Sequence, residues 1–260
     1  MFTCVVPWFV FLNTTFFISF YTRIKENCLF LGGEKKGKEY AVDLQGELVL
    51  RFRNKAKESN VDVLLCLLEK TAEVDKVHNT ATYINRQGEI VASYRKLHLF
   101  DLDLGETKLK ESEAVTRGES VVAVHTEELG VVGLSICYDL RFPYLFNKLA
   151  FELGAELVVV PSAFTVPTGK AHWKILLQAR AIENQCFVVA PAQVGRHNER
   201  RESYGHSMVV SPWGEVLACI EREEKMQVVE VDLAEVERVR SSMPLALHRI
   251  DLTKFNIERK

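Results

Sequence analysis

The sequence contains no Cys-x-x-Cys pair. Its six cysteines, Cys4, Cys28, Cys66, Cys137, Cys186 and Cys219, are spread over the 260 residues. Zinc sites and disulfide frameworks need clustered thiols, so neither is expected. Reduced thiols inside the cell follow, most of them buried as apolar fillers. A strong charge of either sign is also lacking, with net charge -2 and pI about 6.4. That removes the electrostatic footprint of a nucleic-acid or acidic-lipid partner. Basic pairs such as Lys35-Lys36 and Arg200-Arg201 read as solvated faces. Internal repeats, low-complexity linkers and composition shifts are absent beyond about residue 23, which leaves one domain over 23–260. At 47% hydrophobic and 26% charged, such a chain buries a core without staples.

Charge is missing locally as well. No residue from Met1 to Thr22 is charged, and the run PWFVFLNTTFFISF is rich in Phe. Its length and apolarity meet the requirement for a membrane helix. It lacks the basic start and small-residue cleavage site of a secretory signal. Three readings stay open: a membrane anchor, a buried first strand continuing into a helix, or a segment foreign to the mature protein.

Helix and strand signals alternate along the remainder. Leu44, Leu48, Phe52 and Ala56 lie four apart, which predicts a helix over 44–58. Apolar runs predict strands at 61–68, 131–136, 156–160, 186–192 and 227–232. Hairpins are expected around Arg86-Gln87-Gly88 and Pro212-Trp213-Gly214. Further helices are expected over 139–153, 170–184 and 233–241. The mixture predicts an α/β fold with helices layered over sheets, though periodicity does not count the sheets.

Two stretches carry chemistry. In GLSICYDLRFP (133–143) a buried strand delivers Cys137 to the start of a helix. Unpaired N–H groups and the helix dipole there favour the thiolate, the reactive form of cysteine. The N–H of Tyr138 is placed to serve an oxyanion hole. The plainer alternative is a buried cysteine at a strand end. In SYRKLHLFD (93–101), Lys96 follows an alternating strand. An ammonium beside sulfur would stabilise thiolate and oxyanion alike; alone, Lys96 reads as a surface lysine. A general base is also required, and His98, His172, His206 or a buried carboxylate are the candidates.

These stretches, with PSAFTVPTGKAHW, ARAIENQCFVVAPAQ and YGHSMVVSPWGEVLA, resemble the carbon–nitrogen hydrolases of the nitrilase superfamily from about residue 40 onward. The resemblance implies a four-layer αββα sandwich, pairing into homodimers or larger oligomers, with no metal or organic cofactor. It implies a Glu–Lys–Cys triad in which Lys96 is the lysine, Cys137 the nucleophile and Glu111 an assisting glutamate. It places Tyr138, Arg141, Phe164 and Thr168 around a small-molecule amide substrate. Arg141 suits a two-point grip on a carboxylate; its plainer role is an ion pair with Asp139 or a nearby acid. Within the superfamily, QVGRHNERRESYGHSMVV is closer to amidases of deaminated glutathione than to omega-amidases. The activity implied is hydrolysis of a 2-oxo-acid amide, not a peptide bond, in the cytoplasm or mitochondria.

One segment departs from the family pattern. NCLFLGGEKKGKEY (27–40) lacks the proline of the motif that carries the base glutamate, and Glu34 fits only after a one-residue shift. The usual N-terminal β-α-β unit is not recognisable in 1–22, which predicts an incomplete or altered unit and an uncovered strand edge. A catalytically impaired interaction protein therefore stands beside the enzyme reading.

Overall fold

The structure, a computed structural model, describes residues 8–12, 15–19, 37–73, 75–103, 108–197, 201–221, 226–250, 254–256 and 258–259. Glu34 lies outside them.

Strand β3 (Asp62–Lys70) shows how the layers arise. Side chains alternate faces along a strand. Val63, Leu65 and Leu67 pack with Val49 and Ala56 of helix α1 (Glu47–Ser59). Leu64 and Cys66 face the other way and meet Leu134, Val159 and Val189 of a second sheet. Because both faces are buried, the strand reads as a continuous apolar run. Each such leucine contributes roughly 1.5–3 kcal/mol by leaving water.

The first sheet is antiparallel throughout. Its other strands are β1 (Trp8–Leu12), β2 (Thr15–Ser19), β4 (Val77–Ile84), β5 (Ile90–Arg95) and β16 (Met226–Glu230), in the order β16-β2-β1-β3-β4-β5. The second sheet runs β15-β14-β11-β10-β9-β8, from Val216–Ile220, Ser207–Val210, Phe187–Ala190, Leu157–Val159, Gly130–Leu134 and Ala123–Thr126. Its central strands β9, β10 and β11 are parallel. Two ribbons sit outside the sheets: β6 (Asp101–Asp103) with β7 (Lys108–Lys110), and β12 (Val194–Arg196) with β13 (Glu202–Tyr204). The outer face of the second sheet, including Val158, Val188 and Met208, packs on α2 (Pro143–Asn147) and α3 (Val166–Asn184). Helix α4 (Ala234–Ser242) follows β16. The result is the four-layer αββα sandwich.

Three expectations change. Of the apolar N-terminal segment, whose three readings stayed open, the described residues Trp8–Leu12 and Thr15–Ser19 form two antiparallel strands. Their Phe, Ile and Thr residues favour extended backbone. Strand β1 pairs with β3 and β2 with β16, so the edge of β3 is covered. The helix expected over 139–153 is broken into a 3₁₀ turn (Cys137–Arg141), α2, and a π turn (Lys148–Glu152). Leu145, Phe146, Leu149 and Ala150 keep a helical burial pattern, which hides the break from periodicity. Helix α1 starts after Gly46, three residues later than expected, with Leu44 packed from the preceding loop. Among the described residues, no helix is long and apolar enough to cross a membrane.

Candidate active site

Parallel strands direct their C-terminal ends to one side, where the loops of an α/β fold form sites. The loop after β9 carries Cys137, and the loop after β10 carries Phe164 and Thr165. Cys137 has φ 49°, in the left-handed region that side chains disfavour. Its N–H donates to the Pro161 carbonyl at 2.9 Å, tying the two loops together. Its thiol is half-buried. A 3₁₀ turn follows in place of an α-helix start, so the dipole expected from the sequence is reduced to one short turn.

Lys96 follows directly on β5. Lys96 is fully buried, and its Nζ donates to Glu111 Oε2 at 2.6 Å. The same oxygen accepts the Phe100 N–H at 2.6 Å. A buried ammonium is tolerated only when so paired. Burial pulls the Lys96 pKa down, but Glu111, Cys137 and Asp139 outweigh it and hold the pKa above the usual lysine value. Lys96 therefore stays cationic and is electrostatically coupled to Cys137. Glu111 Oε1 is buried and has no hydrogen-bond partner among the described residues. No carboxylate among them hydrogen-bonds the Cys137 sulfur.

Asp139 joins the two halves of the site. It is fully buried. Oδ2 accepts from Tyr94 Oη at 2.7 Å and the Ile136 N–H at 2.8 Å. Oδ1 accepts from the His98 N–H at 3.1 Å and meets His98 Nδ1 at 2.7 Å. The segment around Lys96 is thus clamped to the turn around Cys137. The alternative reading, an ion pair of Arg141 with Asp139, does not form, and Asp139 is engaged by these donors instead. Sequence reasoning missed this role. An acid three residues after Ile136, returning to its N–H, is a capping pattern that could have revealed it.

The histidines are committed elsewhere. His98 stacks on Phe142 at 3.7 Å, and its Nε2 meets Tyr144 Oη at 2.9 Å. His172 Nδ1 meets Arg141 Nη2 at 3.1 Å. His206 Nδ1 lies 2.9 Å from the Tyr204 carbonyl, and its ring stacks on Tyr204.

A small cleft opens over Cys137. Tyr138, Arg141, Phe164 and Thr168 line it, as does Phe100. The Arg141 guanidinium lies 6.0 Å from the Tyr138 ring centre and 5.7 Å from that of Phe164, favourable cation–π placements. Thr168 Oγ1 is 2.7 Å from Thr165 Oγ1. Arg201 also lines the cleft, which corrects its reading as a solvated charge. Among the described residues, no cluster of His, Cys, Asp and Glu could hold a metal ion.

Comparison with known proteins decides the family. The model of the carbon-nitrogen hydrolase family matches residues 16–241. The chain belongs to the carbon–nitrogen hydrolases. It is 44% identical over 243 residues to the nitrilase and fragile histidine triad fusion protein NitFhit of Drosophila melanogaster, covering 91% of this chain and 52% of that protein. It therefore spans about half the length of that relative. It is 40% identical over 231 residues to a deaminated glutathione amidase of Synechocystis, covering 87% of this chain and 85% of the relative. The crystal structure of Caenorhabditis elegans NitFhit superposes with a TM-score of 0.75 at 45% identity, covering 79% of this chain and 50% of that one. Cys137 and the buried Lys96–Glu111 pair both fall inside the span that the hydrolase family matches.

Proposed function

We propose that this chain is a thiol amidase that hydrolyses the amide of a small 2-oxo acid, in the class of deaminated glutathione, giving 2-oxoglutarate and cysteinylglycine. The observation that carries the reading is the half-buried Cys137 thiol on a strained turn, electrostatically coupled to a fully buried Lys96–Glu111 pair. The Cys137 thiolate attacks the amide carbonyl, and the oxyanion forms in the field of Lys96. The C–N bond breaks as the amine takes a proton, leaving a thioester on Cys137. Water then attacks the thioester, releasing the 2-oxo acid and restoring the thiol. A carboxylate relays the protons, and Glu111 Oε1 is chemically able to do so; the resemblance assigns that work to Glu34. Arg141, steadied by His172 and two rings, holds the carboxylate of the 2-oxo acid. By the same resemblance the working unit is a homodimer or larger.

The test is single-turnover kinetics with the 2-oxoglutaryl amide of cysteinylglycine. Wild type is expected to form a Cys137 thioester and release 2-oxoglutarate. Cys137→Ala should fold normally and release none. Normal turnover by Cys137→Ala would falsify the mechanism.

A further inference from the structure

Arg180 of α3 is a buried cation, with 5% of its surface exposed. Its Nε donates to the Leu140 carbonyl at 3.0 Å, and its Nη1 to Glu183 Oε1 at 2.7 Å. The guanidinium lies 5.4 Å from the ring centre of Phe146 in α2. The Glu183 side chain is 39% exposed, so the inner edge of the fork is committed to a neutral carbonyl. Burying a charge beside such a partner is costly. What it supplies is a charge-assisted bond of fixed direction.

That carbonyl belongs to the turn that carries the chemistry. Cys137 and Arg141 are the first and last residues of the 3₁₀ turn, and the buried Leu140 precedes Arg141. The Leu140 carbonyl and the Arg141 N–H share one planar peptide group, so holding the oxygen sets the plane from which Arg141 leaves the backbone. The far end of Arg141 is held from the same helix. Its Nη2 meets His172 Nδ1 at 3.1 Å, and because a guanidinium only donates, that nitrogen accepts. Helix α3 is itself anchored near both ends. Trp173 Nε1 donates to the His206 carbonyl at 2.6 Å, and Asn147 of α2 donates to the fully buried Asn184 at 2.8 Å. Among the described residues, Arg141 pairs with no carboxylate, so its other donors are left to a ligand in the cleft.

We infer that Arg180 is a positioning residue: from α3 it fixes the Leu140–Arg141 peptide and so aims Arg141 at the carboxylate of the acyl half of the substrate. The inference rests on the amidase reading and deepens it, by naming what places the arginine that grips the acid. Arg180 is not among the residues lining the cleft and acts through the turn.

The experiment compares two amides of cysteinylglycine: the 2-oxoglutaryl amide, and the 4-oxopentanoyl amide, in which a methyl group replaces the carboxylate beside the oxo group. Steady-state kinetics are run on wild type, Arg180→Gln, Arg180→Lys, Arg141→Gln and the double variant Arg180→Gln with Arg141→Gln. The ratio of kcat/KM for the two amides, taken on one preparation, does not depend on how much of that preparation is folded. Arg180→Gln is expected to lower the ratio about 10-fold or more, chiefly through KM for the 2-oxoglutaryl amide. Arg180→Lys, which keeps the charge without the fork, should recover part of it. The double variant should show the ratio of Arg141→Gln alone, because the two arginines act as a unit. A wild-type ratio in Arg180→Gln, or a further drop in the double variant, overturns the role of Arg180 and leaves the amidase intact. Failure of both Arg180 variants to give folded protein overturns it too. Wild type without preference between the amides removes the grip of Arg141, and this inference with it. Wild type that hydrolyses neither overturns the amidase reading itself.

Discussion

Lys96 and Glu111 form an ion pair whose side chains are 0% and 2% exposed. Removing one partner strands the other charge in a dry site. Lys96→Ala should lose activity and roughly 3–5 kcal/mol of stability. Lys96→Met combined with Glu111→Gln should recover much of the stability and none of the turnover, as read by urea denaturation and amide hydrolysis. Full activity in the double variant would remove Lys96 from the mechanism. Asp139 gives a second residue-scale expectation. Asp139→Asn cannot accept from all its donors, so it should lose about 1–3 kcal/mol and loosen Lys96 relative to Cys137. A chemical-denaturation curve unchanged from wild type would show that the clamp contributes nothing. At this scale the sequence is legible where a motif names a residue. Cys137 and Arg141 line one cleft, and Lys96 pairs with Glu111, which accepts the N–H of Phe100 from the same lining. Asp139 is misassigned from sequence because its partners, Tyr94 and His98, lie more than forty positions away in the chain. Arg201 reads as surface because a basic pair in a polar stretch carries no sign of the fold around it.

At the scale of elements, the ribbon beneath Arg201 responds to acid. Burial, and then the nearby Arg201 charge, lower the His197 pKa from 6.5 to about 4, with Glu202 opposing. A depressed folded pKa means that His197 contributes stability fully present above its unfolded value and lost as pH falls through the folded one. The ribbon should therefore loosen between about pH 6.5 and 4, and His197→Gln should flatten that dependence. NMR titration of the His197 ring checks it; a midpoint near 6.5 would show that the ring is not held neutral by the ribbon. Elements with a local signature are legible in the sequence. Strand β3, the β4–β5 hairpin and the β14–β15 hairpin fall where alternation and turn residues put them. The break in the 139–153 helix is not legible. Asp139 caps a 3₁₀ turn there and Pro143 restarts the helix, while the apolar spacing passes through both.

Over the whole molecule, two sheets close on one core, and a polar cluster also links them. Arg86, after β4, donates to Glu128 of the β8–β9 turn, and its N–H donates to Asp62 of β3 at 2.8 Å. Asp62 also accepts from Tyr83 Oη at 2.8 Å. Arg86→Ala should destabilise by about 1–3 kcal/mol, because partly buried carboxylates lose their charged donor; a melting temperature unchanged from wild type would dismiss the link. Which strands share a sheet is beyond the sequence. Strand β15 ends one sheet and β16, next in the chain, ends the other, since pairing depends on contacts that no local period records.

The backbone angle of Cys137 reaches beyond chemistry. Elsewhere in a protein, glycine is normally the weaker substitute and alanine the stronger, by about 0.5–1 kcal/mol. At φ 49° that ranking inverts, since only glycine relaxes there. Cys137→Gly should therefore melt later than Cys137→Ala, and under the proposed mechanism neither should turn over. Selection for heat resistance alone would then favour glycine at the position of the proposed nucleophile.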